Sequence, residues 1–508
     1  MILILGAAMV VAVLVIMAIY DVFQTRHAVR RNYPLVGRVR YLIERFGPEL
    51  RQYIVAGNDE ERPFSRDQRR WVYSSAKKEN SYFGFGTDSK ITAPNHLYIR
   101  QAGFPHRPTH QNPDSILPAA KVMGEWRNRS GAFRPQSIVS ISAMSFGSLS
   151  ARAIESLNRG AAIAGVLHNT GEGGVSTHHL HGGDLIFQVG TGYFGARSAD
   201  GSFSMDRLLE TVESGPVKAV EIKISQGAKP GLGGVLPGKK VTADIAAARG
   251  VPEGIAINSP AFHTEFSSVP ELVAFVERVA DATGLPVGIK SAVGDLSFWE
   301  ELADEMLRTA QGPDFISIDG GEGGTGAAPL VFSDHVSVPF RSGFSEVFSI
   351  FARCGVHHRI VWFGAGKLGF PGDSLQALAL GVDVISVGRE AMLAVGCIQA
   401  QKCHSGHCPT GVATHSKWLV RGLDPTDKAA RVANYLTGLR YELLRLSHAC
   451  GVSHPALVPT DALELRRDPF TSVSLTEAFR YDSSWLTQAS ERASDIDGLV
   501  ERAVSSTL

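Results

Sequence analysis

The chain has 508 residues, 44% of them hydrophobic and 20% charged, so it can bury a large core and is not a disordered chain. Fifty basic residues balance fifty acidic ones, and this formal net charge of zero argues against a nucleic-acid-binding protein. Five cysteines are too few for a disulfide scaffold, which makes a reducing compartment the default.

The first 20 residues, MILILGAAMVVAVLVIMAIY, carry no charge and are long enough to cross a bilayer as a helix. Six arginines follow: Arg26, Arg30, Arg31, Arg38, Arg40 and Arg45. This pattern predicts a single-pass membrane anchor with everything after it on the cytoplasmic side. A cleaved signal peptide and a buried core helix are the alternatives. The basic stretch that follows looks helical around residues 38–55, as an amphipathic segment on anionic headgroups or as a solvated linker.

From about residue 136, short β-branched runs alternate with amphipathic, helix-like stretches. The runs are SIVSIS (137–142), GVLHNT (165–170), LIFQVG (185–190), AVEIKIS (219–225), IAINSP (255–260), VGIK (287–290), DFISIDG (314–320), RIVWFGAG (359–366) and DVISVG (383–388). The helix-like stretches include 206–214, 269–283, 297–310, 343–354 and 374–381. Nine runs in this alternation predict an α/β protein with a TIM (β/α)8 barrel and one extra strand. An open doubly wound sheet is the competitor, but no GxGxxG follows the first run.

Glycine-rich or small-residue turns end almost every run, and in a barrel such turns form the C-terminal face where ligands bind. Two of them suit a phosphate: 320–329, and 363–367 together with 386–390. These turns predict a phosphorylated cofactor or substrate. The tail from about residue 411 looks helical, with an apolar-periodic stretch at 429–451 that we expect to pack on the barrel.

Three of the five cysteines, Cys397, Cys403 and Cys408, have the spacing C-x5-C-x4-C with glycine and proline between them. Three thiolates without a fourth nearby suit a 3Fe–4S cluster, or a 4Fe–4S cluster with one open iron. Zinc is the rival, because His404 or His407 could serve as a fourth ligand. Three structural thiols are the remaining alternative.

Five motifs in sequence order resemble the flavin-binding synthase region of glutamate synthase. They are SAMSFGSLS (142–150), NTGEGG (169–174), KISQGAKPGLGGVLPGKKVT (223–242), DGGEGGTGAAP (319–329) and GCIQAQKCHSGHCPTGVAT (396–414). The likeness is greatest to stand-alone, FMN-binding members of that family. The resemblance covers roughly residues 85–430, and the patterns at the two ends complete a division into four segments: an anchor at 1–20, a basic helical linker region at 21–84, an FMN-binding barrel at 85–430 and a helical C-terminal extension at 431–508.

The resemblance implies FMN and a 3Fe–4S cluster on the three cysteines as cofactors. It assigns Ala143, Met144 and Ser145 to the isoalloxazine ring, with Gln188 and Lys290 hydrogen-bonding to it. The phosphate would be bound by Gly323, Gly324 and Thr325, with Gly364, Gly366 and Gly388 as a second set. Lys290 could instead merely extend its amine to the surface from a strand end.

The implied reaction is hydride transfer to 2-iminoglutarate, which forms from 2-oxoglutarate and ammonia, giving L-glutamate. Glu172 would act as the acid or base, with Lys290 beside the flavin as the other catalytic residue. Gln226, Lys229 and Arg249 would face the two carboxylates of 2-oxoglutarate. Glu172 could instead cap the following helix, and Arg249 could merely complement a helix C-terminus.

Two departures from the family bear on the substrate. The usual GHDGGTG is here GGEGGTG with Glu322, and SAVGDLSFWEE (291–301) replaces a KLVSEAG-type segment. Neither a glutaminase nor a nicotinamide-dinucleotide domain is expected, so ammonia would come from solution or a separate glutaminase subunit. Electrons would come from a ferredoxin or a reductase subunit. Another amino- or imino-acid oxidoreductase and a membrane-tethered electron-transfer component are the alternatives.

Overall fold

A closed barrel of eight parallel strands forms the centre of the molecule and confirms the predicted TIM barrel. The computed structural model describes residues 2–53, 60–79, 85–108, 111–112, 114–486 and 493–506. Each barrel strand pairs with the next along the chain, and the last pairs with the first. The strands are β1 Val139–Ile141, β2 His168–Asn169, β3 Leu185–Val189, β4 Val217–Lys223, β5 Val287–Ala292, β6 Phe315–Asp319, β7 Val361–Ala365 and β8 Val384–Val387.

Helices surround the barrel and extend it at both chain ends. In chain order they are α1 Ile2–Phe23, α2 Ala28–Asn32, α3 Val36–Tyr53, α4 Arg66–Lys77, α5 Ala151–Ala164, α6 Met205–Glu213, α7 Ala243–Arg249, α8 Val269–Thr283, α9 Ser297–Thr309, α10 Leu330–His335, α11 Phe340–Arg353, α12 Pro371–Ala379, α13 Arg389–Val395, α14 Lys417–Val420, α15 Pro425–Ala449, α16 Leu475–Phe479, α17 Ala493–Asp497 and α18 Leu499–Ser505. The long helix α15 packs along α5 and α4, and it runs through residue 430 without interruption.

The fifth of the nine runs, IAINSP (255–260), is the extra strand and lies outside the barrel. Ile257–Asn258 pairs antiparallel with Val235–Leu236 in the long connection after β4. A second small sheet joins the segment before the barrel to the tail, since Leu97–Ile99 pairs with Leu463–Arg466, which pairs with Ser472–Ser474.

The barrel interior changes from apolar to charged along its axis, as β4 illustrates. Successive side chains of a strand point to opposite faces, so Ala219, Glu221 and Lys223 share one face. Ala219 belongs to an apolar cluster with residues of four other barrel strands, Ile186 of β3, Phe315 of β6, Val361 and Phe363 of β7, and Val384 of β8. Glu221, one step further, is buried among polar groups, and Lys223 stands at the C-terminal end of the strand. The interior is therefore a packed apolar core toward the N-terminal ends of the strands and a polar site toward their C-terminal ends.

The N-terminal helix α1 is long and apolar enough to cross a membrane, judged by its length and composition. Nearly all of its apolar side chains are exposed on the protein. A core helix would be buried, so this exposure removes one of the alternatives that the sequence left open.

Candidate functional site

A buried carboxylate, Glu221, organises the middle of the barrel. Its Oε1 accepts hydrogen bonds from Gln188 Nε2 and from Asn169 Nδ2, both at 2.7 Å, and its Oε2 accepts one from Ser317 Oγ at 2.5 Å. Strands β2, β3, β4 and β6 thus meet at one acidic side chain that is only 2% exposed. The predicted ring-binding residue Gln188 is held by this carboxylate.

Lys290, at the C-terminal half of β5, lies beside Asp319 at the end of β6. The Lys290 Nζ to Asp319 Oδ2 distance is 3.5 Å, and the same oxygen accepts a hydrogen bond from Gly227 N at 3.0 Å. Burial acts to lower the pKa of Lys290, but the carboxylates of Asp319, Glu221 and Glu172 outweigh it and raise the pKa overall. Lys290 is therefore a buried, permanently charged cation at the mouth of the barrel.

The turn after β2 places Glu172 in the same mouth. Its Oε1 lies 2.9 Å from Lys223 Nζ, which also donates a hydrogen bond to Gln226 Oε1 at 2.6 Å. Burial acts to raise the pKa of Glu172, yet Lys223, Lys229 and Arg249 together hold it below its ordinary value. Glu172 caps no α-helix, because the segment after it forms a 3-10 turn that begins at Thr177.

Lys229 and Arg249 are both buried and both face Glu172. Lys229 Nζ donates a hydrogen bond to Gly233 O at 2.5 Å, and burial lowers its pKa. The Arg249 guanidinium stacks over the Phe194 ring at 5.1 Å and donates to Phe146 O at 3.3 Å. Although Arg249 ends α7, its side chain points into the mouth and away from that helix terminus. Among the residues that the structure describes, its Nε has no hydrogen-bond partner.

The turn after β1 lies against the turn after β2. Met144 N donates to Asn169 O at 3.3 Å, and a Cβ on Gly171 would approach Ser145 N to 2.7 Å. Gly171 has a φ of +66°, so this close approach and backbone conformation both require glycine. The predicted ring-lining residues Ala143, Met144 and Ser145 therefore border the same mouth as Glu172.

The two predicted phosphate sets are separated by Glu322. Its Oε2 accepts a hydrogen bond from Phe340 N at 2.8 Å and so caps α11. A Cβ on Gly366 would lie 3.2 Å from this oxygen, which places a carboxylate beside the second set. In the first set, a Cβ on Gly324 would lie 2.9 Å from Arg389 Nη1. The exposed Gly324–Thr325 turn thus has a cation beside it, whereas Gly366 lies near an anion and Gly364 faces apolar side chains.

The remaining member of the second set, Gly388, is next to the turn after β1. A Cβ there would meet only Ser142 Cβ, at 3.6 Å. Gly388 therefore borders the mouth between β8 and β1.

The three cysteines of the 397–408 loop are free thiols close to the glycine-rich turn after β6. A Cβ on Gly326 would lie 3.2 Å from Cys403 Cβ. Burial raises the pKa of Cys397 to about 12, and Cys408 and Cys403 add to this shift, so the thiols are neighbours. Within the described residues, however, no three His, Cys, Asp or Glu side chains are arranged to hold a metal ion. His404 and His407 are exposed.

Three charged residues of the mouth were not predicted from the sequence: Glu221, Lys223 and Asp319. A signal existed for the first two, because AVEIKIS places two charges at alternate positions of an otherwise apolar strand. In a strand buried on both faces, such charges point into the barrel interior. Asp319 precedes the glycine turn and resembles an ordinary turn residue.

The chain matches a profile described as the conserved region in glutamate synthase over residues 119–453. It is 36% identical to the glutamate synthase large subunit-like protein YerD of Bacillus subtilis (strain 168), covering 90% of this chain and 93% of that protein. It is 37% identical to the archaeal-type glutamate synthase [NADPH] of Thermotoga neapolitana, covering 67% of this chain and 63% of that protein.

Among solved structures, a mandelate oxidase crystallised with 2-hydroxy-phenylacetamide aligns with a TM-score of 0.41 at 15% identity. The alignment covers 88% of this chain and 96% of that one. These values are too low to inform the chemistry. The matched profile spans well over half of the chain and the whole barrel, and so the chain belongs to the glutamate synthase family of oxidoreductases.

Proposed function

We propose that this protein forms L-glutamate from 2-oxoglutarate and ammonia with FMN as its hydride carrier. The charge arrangement at the barrel mouth is the main support for this function, because Glu172 there faces the cations Lys223, Lys229 and Arg249. A dicarboxylate needs fixed cations, and imine formation needs an acid or base within reach. The T. neapolitana relative is named a glutamate synthase, which agrees with this substrate class.

The residues present suit FMN. Gln188 supplies an amide for the ring, fixed by Glu221, and the charged Lys290 can stabilise negative charge on a reduced ring. Ala143, Met144 and Ser145 would line the ring, and Gly388 would border it. When bound, FMN supplies the hydride that reduces the imine carbon.

For the phosphate we favour Gly323, Gly324 and Thr325, joined by Arg389, over Gly364 and Gly366. A phosphate near Gly366 would meet the Glu322 carboxylate, which already accepts the hydrogen bond from Phe340 N. Like charges at such short range cost several kcal/mol in a partly buried site, on the order of 4 kcal/mol for unit charges 4 Å apart.

Each residue of the mouth has a distinct task in the proposed reaction. Arg249 and Lys229 bind the two carboxylates of 2-oxoglutarate, and Gln226 donates a hydrogen bond to one of them. Glu172 accepts a proton from ammonia as the nitrogen adds to the carbonyl carbon and passes it to the carbonyl oxygen. It then transfers a second proton from the nitrogen to the same oxygen, which leaves as water and gives the imine. Lys223 holds Glu172 in place and keeps it ionised before the substrate arrives.

Cys397, Cys403 and Cys408 are proposed as ligands of a 3Fe–4S cluster. Three neighbouring thiols in a glycine- and proline-containing loop support this assignment, and the exposure of His404 and His407 disfavours zinc. The thiols would converge on binding. Metal analysis of anaerobically purified protein should give about three irons per chain. Zinc at one per chain, or no metal, would contradict the assignment.

The helix α1 is proposed as a single membrane anchor, with the barrel on the cytoplasmic side. The arginines that follow it support this orientation. Electrons would reach the cysteine loop from a ferredoxin or a reductase subunit. Ammonia would come from solution or from a separate glutaminase subunit.

The test of the proposed function is a reoxidation experiment on the full chain in detergent. The flavin is reduced anaerobically, and its absorbance is followed after addition of 2-oxoglutarate, ammonium, or both. We expect rapid reoxidation only with both substrates. Arg249→Gln should raise the 2-oxoglutarate concentration that gives half-maximal reoxidation by tenfold or more, which corresponds to about 1.4 kcal/mol or above. Arg207→Gln, on the exposed face of α6, should leave this concentration unchanged. A flavin that can be reduced but is not reoxidised when both substrates are added would favour a reaction on a different amino or imino acid, or a role in electron transfer.

A further inference from the structure

The helix α3 presents its apolar side outward, the reverse of a helix on a soluble protein. Val36, Val39, Leu42, Ile43 and Phe46 are 73%, 53%, 55%, 57% and 52% exposed. At 100° per residue these five positions fall within an arc of about 120° on the helix. Scattered exposed apolar side chains are ordinary, but a continuous stripe indicates a partner surface.

The opposite, polar side of α3 faces the protein and is fixed there. Arg38 Nε lies 2.8 Å from the buried Asp21 carboxylate at the end of α1. The Tyr41 ring packs on His27 at 4.6 Å and lies under the Arg30 guanidinium at 4.4 Å. A Cβ on Gly37 would come within 2.8 Å of Val29 O, so α3 and α2 are in close contact. The outward direction of the stripe is therefore set by specific contacts.

The short helix α2 is in turn fixed to the body of the protein beside the cysteine loop. The buried Asn32 amide donates to Pro409 O at 3.1 Å and to Leu419 O at 2.8 Å. Lys428 Nζ donates to Arg26 O at 3.2 Å, and Arg421 donates to Arg31 O at 3.3 Å. These hydrogen bonds attach the connection between α1 and the barrel to the body of the protein, and they set the orientation of the barrel relative to α1 and α3.

We propose that α3 lies in the surface of the same bilayer that α1 crosses, with its apolar stripe on the acyl chains. The stripe begins at Val36, next to Leu35, whose N donates to the Asp21 carboxylate at the end of α1 at 3.1 Å. The exposed Arg45 lies on the same helix, where it can contact anionic headgroups. Trp418, 53% exposed with Arg421 stacked on it at 3.1 Å, adds an aromatic of the interfacial type on the body side.

This inference rests on the proposed membrane anchor and adds an orientation to it. Because α2 contacts Pro409 directly after Cys408, the cysteine loop is held on the membrane-facing side of the barrel. The physiological electron donor would then approach the loop close to the membrane surface.

The test uses the full chain in vesicles of phosphatidylcholine and phosphatidylglycerol, made with and without phosphatidylcholine brominated on its acyl chains. The variants are Phe46→Trp in α3 and, as the matched control, Phe470→Trp, which replaces an aromatic that is 91% exposed in the tail. The fluorescence of the six native tryptophans, measured on the unchanged protein, is subtracted. Resistance of the same preparations to carbonate extraction reports on α1.

We expect carbonate-resistant protein, with the added fluorescence of Phe46→Trp blue-shifted and quenched by brominated lipid and that of Phe470→Trp unaffected. Carbonate-resistant protein with an unquenched tryptophan at position 46 would overturn the inference and leave the anchor intact. Release by carbonate with position 46 still quenched would contradict the anchor and retain the interfacial helix. An unquenched tryptophan together with a concentration-dependent dimer would assign the stripe to a second copy of the chain and overturn the inference.

Discussion

Glu221 shows how one buried side chain can determine the geometry of the proposed cofactor site. Its carboxylate accepts hydrogen bonds from Gln188, Asn169 and Ser317, which lie on three different strands. A carboxylate is suited to this task because it only accepts, whereas an amide would have to turn a donor toward one of these partners. Glu221 is therefore a positioning residue, which acts on the proposed flavin through Gln188.

The Glu221→Gln variant should fold but hold FMN less tightly. Its amide NH2 would face a donor, and an unpaired buried polar group costs about 1–3 kcal/mol, so FMN affinity should fall by roughly 5- to 150-fold. Fluorescence titration of apoprotein with FMN measures this loss, and the flavin absorbance spectrum should shift with the changed Gln188 contact. Ser317→Ala, which removes a single donor, should have a much smaller effect. Equal affinity in Glu221→Gln and the unchanged protein would refute the positioning role.

Among the elements, β5 and β6 are so close at Gly288 that this position has no space for a side chain. A Cβ on Gly288 would lie 2.5 Å from the Phe315 ring and from Phe315 O. The apolar layer of the barrel interior is tightly packed at this point. Such a position tolerates no added methyl group without displacement of a strand.

Gly288→Ala should destabilise the barrel by about 1–3 kcal/mol through overpacking. Gly294→Ala is the matched control, since a Cβ there would have open space within 4 Å and its φ is not in the left-handed region. Thermal unfolding followed by circular dichroism should give a lower Tm for the first variant and an unchanged Tm for the second. Equal Tm values for the two variants would show that the strands can move apart freely.

The first turn of α15 carries a buried lysine that joins it to the N-terminal segment. Lys428 is 1% exposed, and burial lowers its pKa to about 8, while Asp427 partly offsets this shift. In the unfolded chain the amine has its ordinary pKa of about 10.4, so between pH 8 and 10 the unfolded state binds more protons than the folded state. The free energy of unfolding should therefore rise with pH across this window.

Lys428→Met should remove this rise. For a shift of roughly two pKa units the contribution is at most about 3 kcal/mol, and it should be absent from the variant. Unfolding of both proteins at pH 7.5, 8.5 and 9.5 (about these values, chosen to span the window) provides the comparison. Parallel pH profiles for the two proteins would mean that Lys428 titrates as an exposed lysine does.

Across the whole molecule, the segment between α1 and the barrel covers the cysteine loop. Phe64 N donates to Gln399 Oε1 at 3.0 Å, and Gln399 Nε2 donates back to Phe64 O at 3.1 Å. Tyr73, in α4, donates from its hydroxyl to Cys397 O at 2.8 Å. This part of the basic region is packed on the barrel, so α1 and the cysteine loop belong to one connected structure.

Much of this architecture could be predicted from local sequence pattern. The alternation of β-branched runs and amphipathic stretches gave all eight barrel strands, and α8 begins and ends at the predicted residues 269 and 283. Helix α15 begins at residue 425, before the predicted 429, because Asp424 caps it and Pro425 occupies its first position. These are local signals, and the sequence already contains them.

Other features depend on residues far apart in the chain. Helix α11 begins at Phe340 and not at the predicted 343 because Glu322, from another turn, caps its N-terminus. The charged mouth requires three parts of the chain to meet at one face. Glu172 follows β2, Lys223 and Lys229 lie at and after the end of β4, and Arg249 ends α7. The resemblance to the family indicated Glu172, Lys229 and Arg249, and the alternate charges of AVEIKIS could have indicated Lys223, whereas only the barrel places Asp319 beside Lys290.

The product of a single turnover shows most directly whether the barrel mouth makes glutamate. The full chain is reduced anaerobically, freed of excess reductant, and mixed with 2-oxoglutarate and 15N-labelled ammonium. Mass spectrometry should then find 15N-glutamate in an amount equal to the flavin oxidised, and none when either substrate is omitted. Oxidised flavin without labelled glutamate would contradict the account and assign the charged mouth to another reaction.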